Sequence, residues 1–375
     1  SRSVASVVLT SYALGRRDRE MLGNVHFAFV VLDEAQNIKN RSTQNAQAVK
    51  TLRSVNRLVL TGTPIENSVS DLWSIMDFLM PGYLGPHEAF RGSYELAIQA
   101  GGPGAEDAQK RLKKKLNPFF LRRLKRDVAK DLPPKIEKVA MVDLTRDQKL
   151  VYAELLKASQ RKINDMVEAQ GYNRSRMEVL KTLLRLRQAC CHLSLLKLKG
   201  VESEAPSAKL DYLMEMLFEA RSGGNRGLVF SQFTTMLDLI RTELDRQSFR
   251  YCHLDGSTKD RMTVVRQFNS EPDITVFLIS LKAGGTGLNL TGADMVIHFD
   301  PWWNPAVEDQ ATDRAYRIGQ KRTVYAQKLI ARDTVEEKVL ALQRKKKAVI
   351  DATLETDEQV IEKLSWDDVR DLLSL

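Results

Sequence analysis

The second half of the chain alternates short apolar runs with helical patterns, and this alternation restricts the possible folds more than any other feature. Five runs are rich in residues that favour β-strands. They are GLVFS (227–231), YCHLD (251–255), TVFLIS (275–280), MVIHFD (295–300) and TVYAQKLIA (323–331). Strands that alternate with helices favour a parallel sheet covered on both faces. The runs are almost continuously apolar, which fits that burial, so the sequence predicts the α/β fold class.

The first 65 residues have the same pattern and predict part of a second α/β domain. Their apolar runs are VASVVLTSY, FAFVVLDEAQ and NRLVLTGTP. Residues 69–195 are mostly helical in pattern, except that a Pro-Pro pair makes residues 132–144 extended. The polar stretch at 199–207 is typical of a linker. We therefore expect the boundary between the two α/β domains near residue 205.

Charge indicates the class of partner. The 375 residues carry a net charge of +9, which favours a polyanionic partner such as nucleic acid over a neutral one. A basic surface with no specific partner is the alternative. Three cysteines are too few for a secreted disulfide framework, and no apolar run approaches membrane-spanning length, so we expect an intracellular protein with no membrane partner.

Two strand ends in the first half carry polar side chains. Asp33 and Glu34 follow an apolar strand, at the edge where α/β sheets bind ligands. Asp33 would suit Mg²⁺, and Glu34 would suit the activation of a water molecule. Thr61 and Thr63 follow the next strand. Ordinary polar turns explain each stretch equally well when it is taken alone.

A glycine-rich stretch, SLKAGGTGLNL, follows a strand in the second half. Gly285 and Gly287 allow backbone N–H groups to approach an anion closely, and Lys282 and Thr286 add a charge and a hydroxyl. The two tryptophans at 302–303 would suit base stacking, although packing between elements is the more ordinary role of such residues.

The stretch EDQATDRAYRIGQKR (308–322) places Arg314 and Arg317 three residues apart, with Gln310 one turn earlier. On a helix these side chains would share one face. Guanidinium groups bind two oxygens of an oxyanion at once, so the stretch predicts an anion-binding helix.

Taken in order, these motifs resemble those of the SNF2 family of superfamily 2 helicase-like ATPases. DEAQNIKN resembles the second motif and LTGTPIENSVSDLW the third. LVFSQF is similar to motif four, SLKAGGTGLNLTGAD to motif five, and PWWNPAVEDQATDRAYRIGQ to motif six with its approach. The form of DEAQNIKN favours a prokaryotic source.

The resemblance implies two RecA-like lobes, the first incomplete at its N-terminus, with SNF2-type helical insertions between them. The implied regions are residues 1–80 for part of the first lobe, 81–205 for insertions and linker, 206–332 for the second lobe, and 333–375 for a brace-like helix and tail.

The resemblance also implies an ATP- and Mg²⁺-dependent translocase on double-stranded DNA that acts on DNA-bound proteins. Asp33 would bind Mg²⁺, Glu34 would activate water, and Thr61 and Thr63 would couple nucleotide state to lobe closure. Arg314 and Arg317 would be arginine fingers. The implied nucleotide-binding residues further include Gly285, Gly287 and Gln310. The implied DNA-binding residues are Ser231, Gln232, Arg261, Lys282 and Thr286.

The sequence departs from the family in one respect that bears on activity. It contains no G-x-x-x-x-G-K-[S/T] phosphate loop, and only 32 residues precede Asp33. We therefore expect the N-terminal half of the first lobe to be a missing partner, the chain alone to hydrolyse ATP negligibly, and residues 1–130 to be less stable than the rest.

Two other functions remain open from the sequence. One is a nucleotide-independent module that binds DNA or protein, and the other is a strand-separating RNA or DNA helicase. Localisation would be cytoplasmic and nucleoid-associated in a prokaryote, or nuclear in a eukaryote.

Overall fold

The contacts in the computed structural model divide the chain into two compact units, Ser1–Leu124 and Lys125–Leu375. The structure describes residues 7–61, 69–121, 123, 129, 131–198, 203–284, 287–345 and 364–374.

The first unit contains two parallel strands, β1 (His26–Leu32) and β2 (Arg53–Val59), with Val31 opposite Leu58. Seven α-helices surround or follow them in the described residues. They are α1 (Tyr12–Arg17), α2 (Arg19–Gly23), α3 (Gln44–Lys50), α4 (Val69–Leu79), α5 (His87–Phe90), α6 (Leu96–Ala100) and α7 (Pro103–Leu116). Short 3₁₀ turns lie at Ala35–Ile38 and Asn117–Phe119, and a π-helical turn lies at Arg91–Glu95.

The two faces of the β1–β2 pair differ sharply. One face is buried, where Leu32 packs in a cluster with Phe78 of α4. On the other face Phe29 is 64% exposed, and Val31 and Leu58 are also exposed. Parallel strands are normally covered on both sides, so the described part of the first unit leaves an apolar sheet face open.

The second unit is built on six parallel strands in the order β3-β8-β7-β4-β6-β5. They are β3 (Lys135–Val142), β4 (Gly227–Ser231), β5 (Tyr251–Leu254), β6 (Val276–Ser280), β7 (Met295–His298) and β8 (Val324–Ala331). The described helices of this unit are α8 (Arg146–Gln170), α9 (Tyr172–Cys191), α10 (Ala208–Ser222), α11 (Thr234–Arg246), α12 (Arg261–Ser270), α13 (Leu281–Gly284), α14 (Pro305–Thr312), α15 (Val335–Lys345) and α16 (Trp366–Leu373), with a 3₁₀ turn at Leu193–Leu196.

All five strands expected in the second half are present, and the structure adds a sixth. The extended segment 132–144, assigned to the linker by sequence, contains β3, which pairs with β8 along its whole length. The predicted extended conformation of this segment is confirmed, whereas its pairing in the sheet was not predicted. As an edge strand with mostly exposed side chains, β3 lacks the continuous apolar run that identifies the central strands.

Helices cover both faces of the sheet, as the alternating pattern predicts. Helices α10 and α11 pack on one face around Val229 and Leu278. The opposite face packs around Phe230 and Phe277 with residues of α12 and α14. The chain winds outward from β4 to β5 and then returns past β4 to β7, so the carboxyl ends of β4 and β7 form the switch point where ligands of such sheets bind.

A helical layer joins the sheet of the second unit. Its core contains apolar residues of α8, α9, α15 and α16 together with Trp303. Helix α8 begins with a capping box formed by Thr145 and Gln148. Helix α16 begins with a second box formed by Ser365 and Asp368.

An ion pair is fully buried within this unit. Lys209 of α10 donates through Nζ to Glu336 Oε2 of α15 at 2.5 Å and to the Phe299 carbonyl at 3.1 Å. Both side chains have no solvent exposure. The same Glu336 oxygen accepts the Ala331 amide at 2.9 Å, so the pair joins three segments.

In the part of the chain that the structure describes, no helix combines the length and the hydrophobicity that a membrane crossing requires.

The substitution Lys209→Met should destabilise the second unit by about 3–5 kcal/mol, because it leaves the Glu336 carboxylate buried without its cation. The double variant Lys209→Met/Glu336→Gln should recover most of that loss, since the amide oxygen still accepts the Ala331 amide and carries no charge. Urea unfolding of each variant measures the difference. Equal losses in the single and double variants would contradict this account.

Limited proteolysis should cleave the first unit before the second, because an open apolar sheet face leaves β1 and β2 less buried than the central strands of the six-stranded sheet. Mass spectrometry of a time course identifies the cut sites. A persistent fragment that covers residues 7–121 while residues 131–345 are degraded would show the opposite order of stability.

Candidate functional site

The carboxylates of the first unit lie immediately after β1. Asp33 is exposed, and its Oδ1 accepts the Glu34 backbone amide at 2.9 Å. Glu34 adopts a left-handed backbone conformation with φ of 50°. Few residues other than glycine occupy this region, and such strained positions concentrate at functional sites. Lys197, Ser248 and Asp333 share this conformation, so the strain supports Glu34 as a site candidate only together with its place beside Asp33 at the end of β1.

A side-chain bridge joins the two polar strand ends. Gln36 donates through Nε2 to Glu34 Oε2 at 2.8 Å, and its Oε1 accepts the Thr61 hydroxyl at 3.2 Å. The backbone holds the ends together, because the Leu60 amide donates to the Leu32 carbonyl at 2.8 Å. The structure therefore brings Glu34 and Thr61 together as one network.

Gln36 was missed in the sequence analysis. The sequence feature that could have identified Gln36 is its place two residues after Glu34, in the turn formed by residues 33–36. From there its side chain can reach the neighbouring strand end. Thr63 lies outside the described residues.

Tyr12 reports the charge around these carboxylates. Its hydroxyl donates to the Asp33 carbonyl at 2.8 Å. Burial, followed by the negative charges of Asp33 and Glu34, raises the pKa of Tyr12 to about 12. Asp33 and Glu34 together present carboxylate oxygens of the kind that a hard divalent cation prefers.

The donor set fits Mg²⁺ better than a transition metal. No group of three or more His, Cys, Asp or Glu side chains able to hold a metal occurs among the described residues. Mg²⁺ needs only one or two carboxylates when waters and phosphate oxygens complete its shell. The exposed Asp33 carboxylate, with Glu34 beside it, meets that requirement.

Arg314 and Arg317 do not lie on a helix, and the prediction that they do was wrong. Helix α14 ends at Thr312. The Arg314 carbonyl accepts the Leu290 amide at 2.9 Å, and the Ala315 carbonyl accepts the side chain of Gln320 at 3.2 Å. Both carbonyls are taken by other partners instead of continuing the helical ladder, so residues 313–320 form a series of turns, here called the arginine turn.

Arg314 and Arg317 differ in their surroundings. Arg314 is only 4% exposed. Arg317 is half-buried and donates through Nη1 to the Leu288 carbonyl at 3.3 Å. Gln310 is half-buried on α14. Of the two guanidinium groups, that of Arg317 is the more accessible to an anion in solvent.

The glycine-rich stretch is described only in part. Gly287 is exposed and has φ of 28°, which favours glycine. Gly285, Thr286 and the side chain of Lys282 lie outside the described residues, so their predicted roles stay predictions.

Ser231 contradicts its predicted DNA contact. Its side chain is fully buried at the end of β4, and its hydroxyl donates to Asp300 Oδ1. Asp300 Oδ2 also accepts the Gln232 amide at 3.3 Å. The bond from Ser231 to Asp300 joins the end of β4 to the residues that follow β7, and it directs the Ser231 hydroxyl away from solvent. Gln232 and Arg261 are half-buried and keep their predicted roles as predictions.

Asp300 itself was not identified from sequence. Burial raises the pKa of Asp300, although the positive charges of Arg187 and Lys209 oppose the shift. A buried aspartate surrounded by donors from β4 holds the polypeptide that follows β7 in place.

That polypeptide, residues 299–303, is fixed by long side chains from four helices. Arg187 of α9 donates to the Pro301 carbonyl at 2.5 Å, and Gln343 of α15 donates to the Trp302 carbonyl. The Trp302 amide donates to Glu308 Oε1 of α14 at 2.7 Å. Lys209 of α10 donates to the Phe299 carbonyl. Side chains from four helices therefore bond to the backbone of the segment that leads into α14.

The two tryptophans are packing residues, as the ordinary interpretation of the sequence predicted. Both side chains are buried. The Arg187 guanidinium lies 5.3 Å from the ring centroid of Trp303. Neither ring is available for base stacking.

Comparison with known families gives two matches. The SNF2-related domain matches residues 2–195, and the helicase conserved C-terminal domain matches residues 208–319.

Curated relatives agree with these domains. A putative ATP-dependent helicase/translocase of Bacillus subtilis, YwqA, is 38% identical over 99% of this chain and 40% of its own length. The TATA-binding protein-associated factor MOT1 of Saccharomyces cerevisiae is 35% identical over 91% of this chain and 21% of its own length. The chain therefore spans two fifths or less of the length of these relatives.

A solved structure is similar along the whole chain. The SWI2/SNF2 ATPase core of Sulfolobus solfataricus in complex with double-stranded DNA is 38% identical, with a TM-score of 0.54, over 98% of this chain and 77% of that one. The predicted α/β fold with RecA-like architecture is confirmed by this similarity and by the six-stranded parallel sheet. On its domains, its relatives and its fold, the chain belongs to the SNF2 family of ATP-dependent helicase-like proteins.

Proposed function

We propose that the chain is part of an ATP-dependent translocase that moves on double-stranded DNA and displaces proteins bound to it. The observation that carries the proposal is the network of Glu34, Gln36 and Thr61 at adjacent strand ends. Through Gln36 the network joins the strained Glu34 carboxylate to the Thr61 hydroxyl of a second motif. Binding of a ligand at one of these side chains would therefore change the hydrogen bonds of the other.

Each residue has a role that its chemistry supports. Asp33 would hold Mg²⁺, which when bound neutralises charge on the phosphates of ATP. Glu34, oriented by Gln36, would position and deprotonate the attacking water. Arg317 and Arg314 would stabilise the charge that develops during phosphoryl transfer, with Gln310 nearby in sequence. Gly285 and Gly287 would contribute backbone donors to the nucleotide.

Duplex DNA is the proposed polyanion. The net charge of +9 favours such a partner, and the similar archaeal core was solved with double-stranded DNA. Gln232, Arg261, Lys282 and Thr286 are the proposed contacts. Ser231 is left out because its hydroxyl is buried against Asp300.

We further propose that the open face of β1 and β2 is covered by a preceding segment that carries the phosphate loop. Phe29, Val31 and Leu58 present an apolar surface of the kind that another strand layer or helix buries. The relatives extend well beyond the matched region, which provides room for such a segment. The chain without it would hydrolyse ATP negligibly.

The substitution Glu34→Gln in the full-length protein should reduce duplex-stimulated ATP turnover by at least about 100-fold, because the amide cannot accept a proton from water. Binding of ATP should be nearly unchanged, because the amide retains the shape of the carboxylate. Turnover is measured with a phosphate-release assay and nucleotide binding with a fluorescent ATP analogue.

Glu106→Gln is the matched control, because Glu106 is an exposed glutamate of the same unit, on α7. It should leave turnover unchanged. A Glu34→Gln protein with wild-type turnover would exclude the proposed role of this carboxylate, and a full-length wild type that never hydrolyses ATP with duplex present would exclude the function itself.

The two other functions give different results in the same assay. A strand-separating helicase would be stimulated more by single strands than by duplex, and it would release one strand from a labelled duplex. A nucleotide-independent module would bind duplex with a steep dependence on salt but show no turnover even when the preceding segment is supplied.

A further inference from the structure

Gln320 is a buried amide at the end of the arginine turn, to which no role was assigned from sequence. Its side chain is 7% exposed. Through Nε2 it donates to the Ala293 carbonyl at 2.7 Å and to the Thr291 and Ala315 carbonyls at 3.2 Å each. One amide nitrogen thus holds two separate segments, 291–293 and the arginine turn.

The amide oxygen of Gln320 is equally committed. It accepts the backbone amides of Lys321 at 2.8 Å and Arg322 at 2.9 Å. This fixes the polypeptide that leads into β8. Donor and acceptor halves of the same carboxamide therefore have distinct partners, and a substitution can remove one half without the other.

Residues 287–294, here called the return arm, run from the glycine-rich stretch back to β7. Asn269 of α12 fixes the arm from the other side, because it donates to the Asn289 carbonyl at 2.9 Å and accepts the Gly292 amide at 3.3 Å. A Cβ atom at Gly292 would lie 2.9 Å from the Asn269 side chain, so the arm packs closely against α12. Gln320 thus holds the arginine turn to an arm that is itself anchored.

The arm also contacts both arginines directly. The Leu290 amide donates to the Arg314 carbonyl, and Arg317 donates to the Leu288 carbonyl. These two bonds are formed only while arm and turn keep their present register. The Gln320 side chain bonds to both the return arm and the arginine turn.

We propose that Gln320 is a positioning residue that holds the arginine turn against the return arm, so that the placement of Arg317 follows the position of that arm. The inference rests on the proposed function for its consequence in catalysis, but the mechanical link can be measured without nucleotide or DNA.

The first experiment is hydrogen exchange, followed by NMR on the full-length protein without ligand. Gln320→Met keeps the length of the side chain and removes all five bonds. The Lys321 and Arg322 amides lose their acceptor and should exchange at least about 10-fold faster, as expected from the loss of one typical hydrogen bond. The Leu290 amide, whose acceptor is the Arg314 carbonyl, should also exchange faster, because the arginine turn is no longer held to the return arm. Gln320→Glu keeps an acceptor for Lys321 and Arg322 but turns a carboxylate toward the carbonyls, so only the Leu290 amide should accelerate.

The second experiment measures turnover. Gln320→Met should lower the duplex-stimulated kcat by about 10–100-fold, the range expected when a catalytic group is displaced by about 1 Å. The KM for ATP should change by less than about 3-fold, and duplex affinity should be unchanged. A merely destabilised protein would instead lose active molecules, with KM, kcat per folded molecule and DNA stimulation all as in the wild type.

Gln327→Met is the matched control. Gln327 lies on β8 and donates a single bond to the Tyr212 hydroxyl at 3.3 Å. This variant should leave exchange at Leu290 and the kcat unchanged. Unchanged exchange at Leu290 in Gln320→Met would overturn the link. Faster exchange with a wild-type kcat in an active enzyme would overturn the positioning role, whereas a wild type with no turnover would contradict the proposed function alone.

Discussion

The second unit depends on the burial of four charged or amide side chains around residues 299–303. This segment leaves the sheet after β7, where the Phe299 amide still donates to the Phe230 carbonyl of β4 at 2.9 Å. Its carbonyls are buried, so leaving them unpaired would be costly. Lys209, Arg187, Gln343 and Glu308 supply the missing partners from four different helices. The sheet, the helical layer and the start of α14 therefore meet at residues 299–303. The position of the arginine turn, which follows α14, depends on this segment.

Sequence patterns predicted what depends on local burial. The central strands are apolar on both faces, and all five expected runs became strands of the sheet. The sequence patterns gave the wrong structure where hydrogen bonds between distant segments determine it. Strand β3 has the exposed composition of an edge. Helix α14 ends at Thr312, and Leu290 and Gln320 bond to the Arg314 and Ala315 carbonyls beyond it. No spacing in the sequence shows these contacts.

The sequence identified some residues of the candidate site and missed or misassigned others. Glu34 and Thr61 were identified separately, and the structure adds Gln36, which joins them. Ser231 was misassigned because a hydroxyl at a strand end has the same appearance in sequence whether it faces solvent or a buried aspartate. Family resemblance supplies the type of residue at a motif, but only packing determines which way that residue faces.

The left-handed conformation of Glu34 has a consequence for how this protein can change over time. A side chain other than glycine in that region costs roughly 1 kcal/mol or more. Glycine or asparagine at position 34 would relieve the cost and yield a sturdier first unit that lacks the carboxylate. The turn after β1 therefore keeps the Glu34 carboxylate at the expense of stability in the first unit.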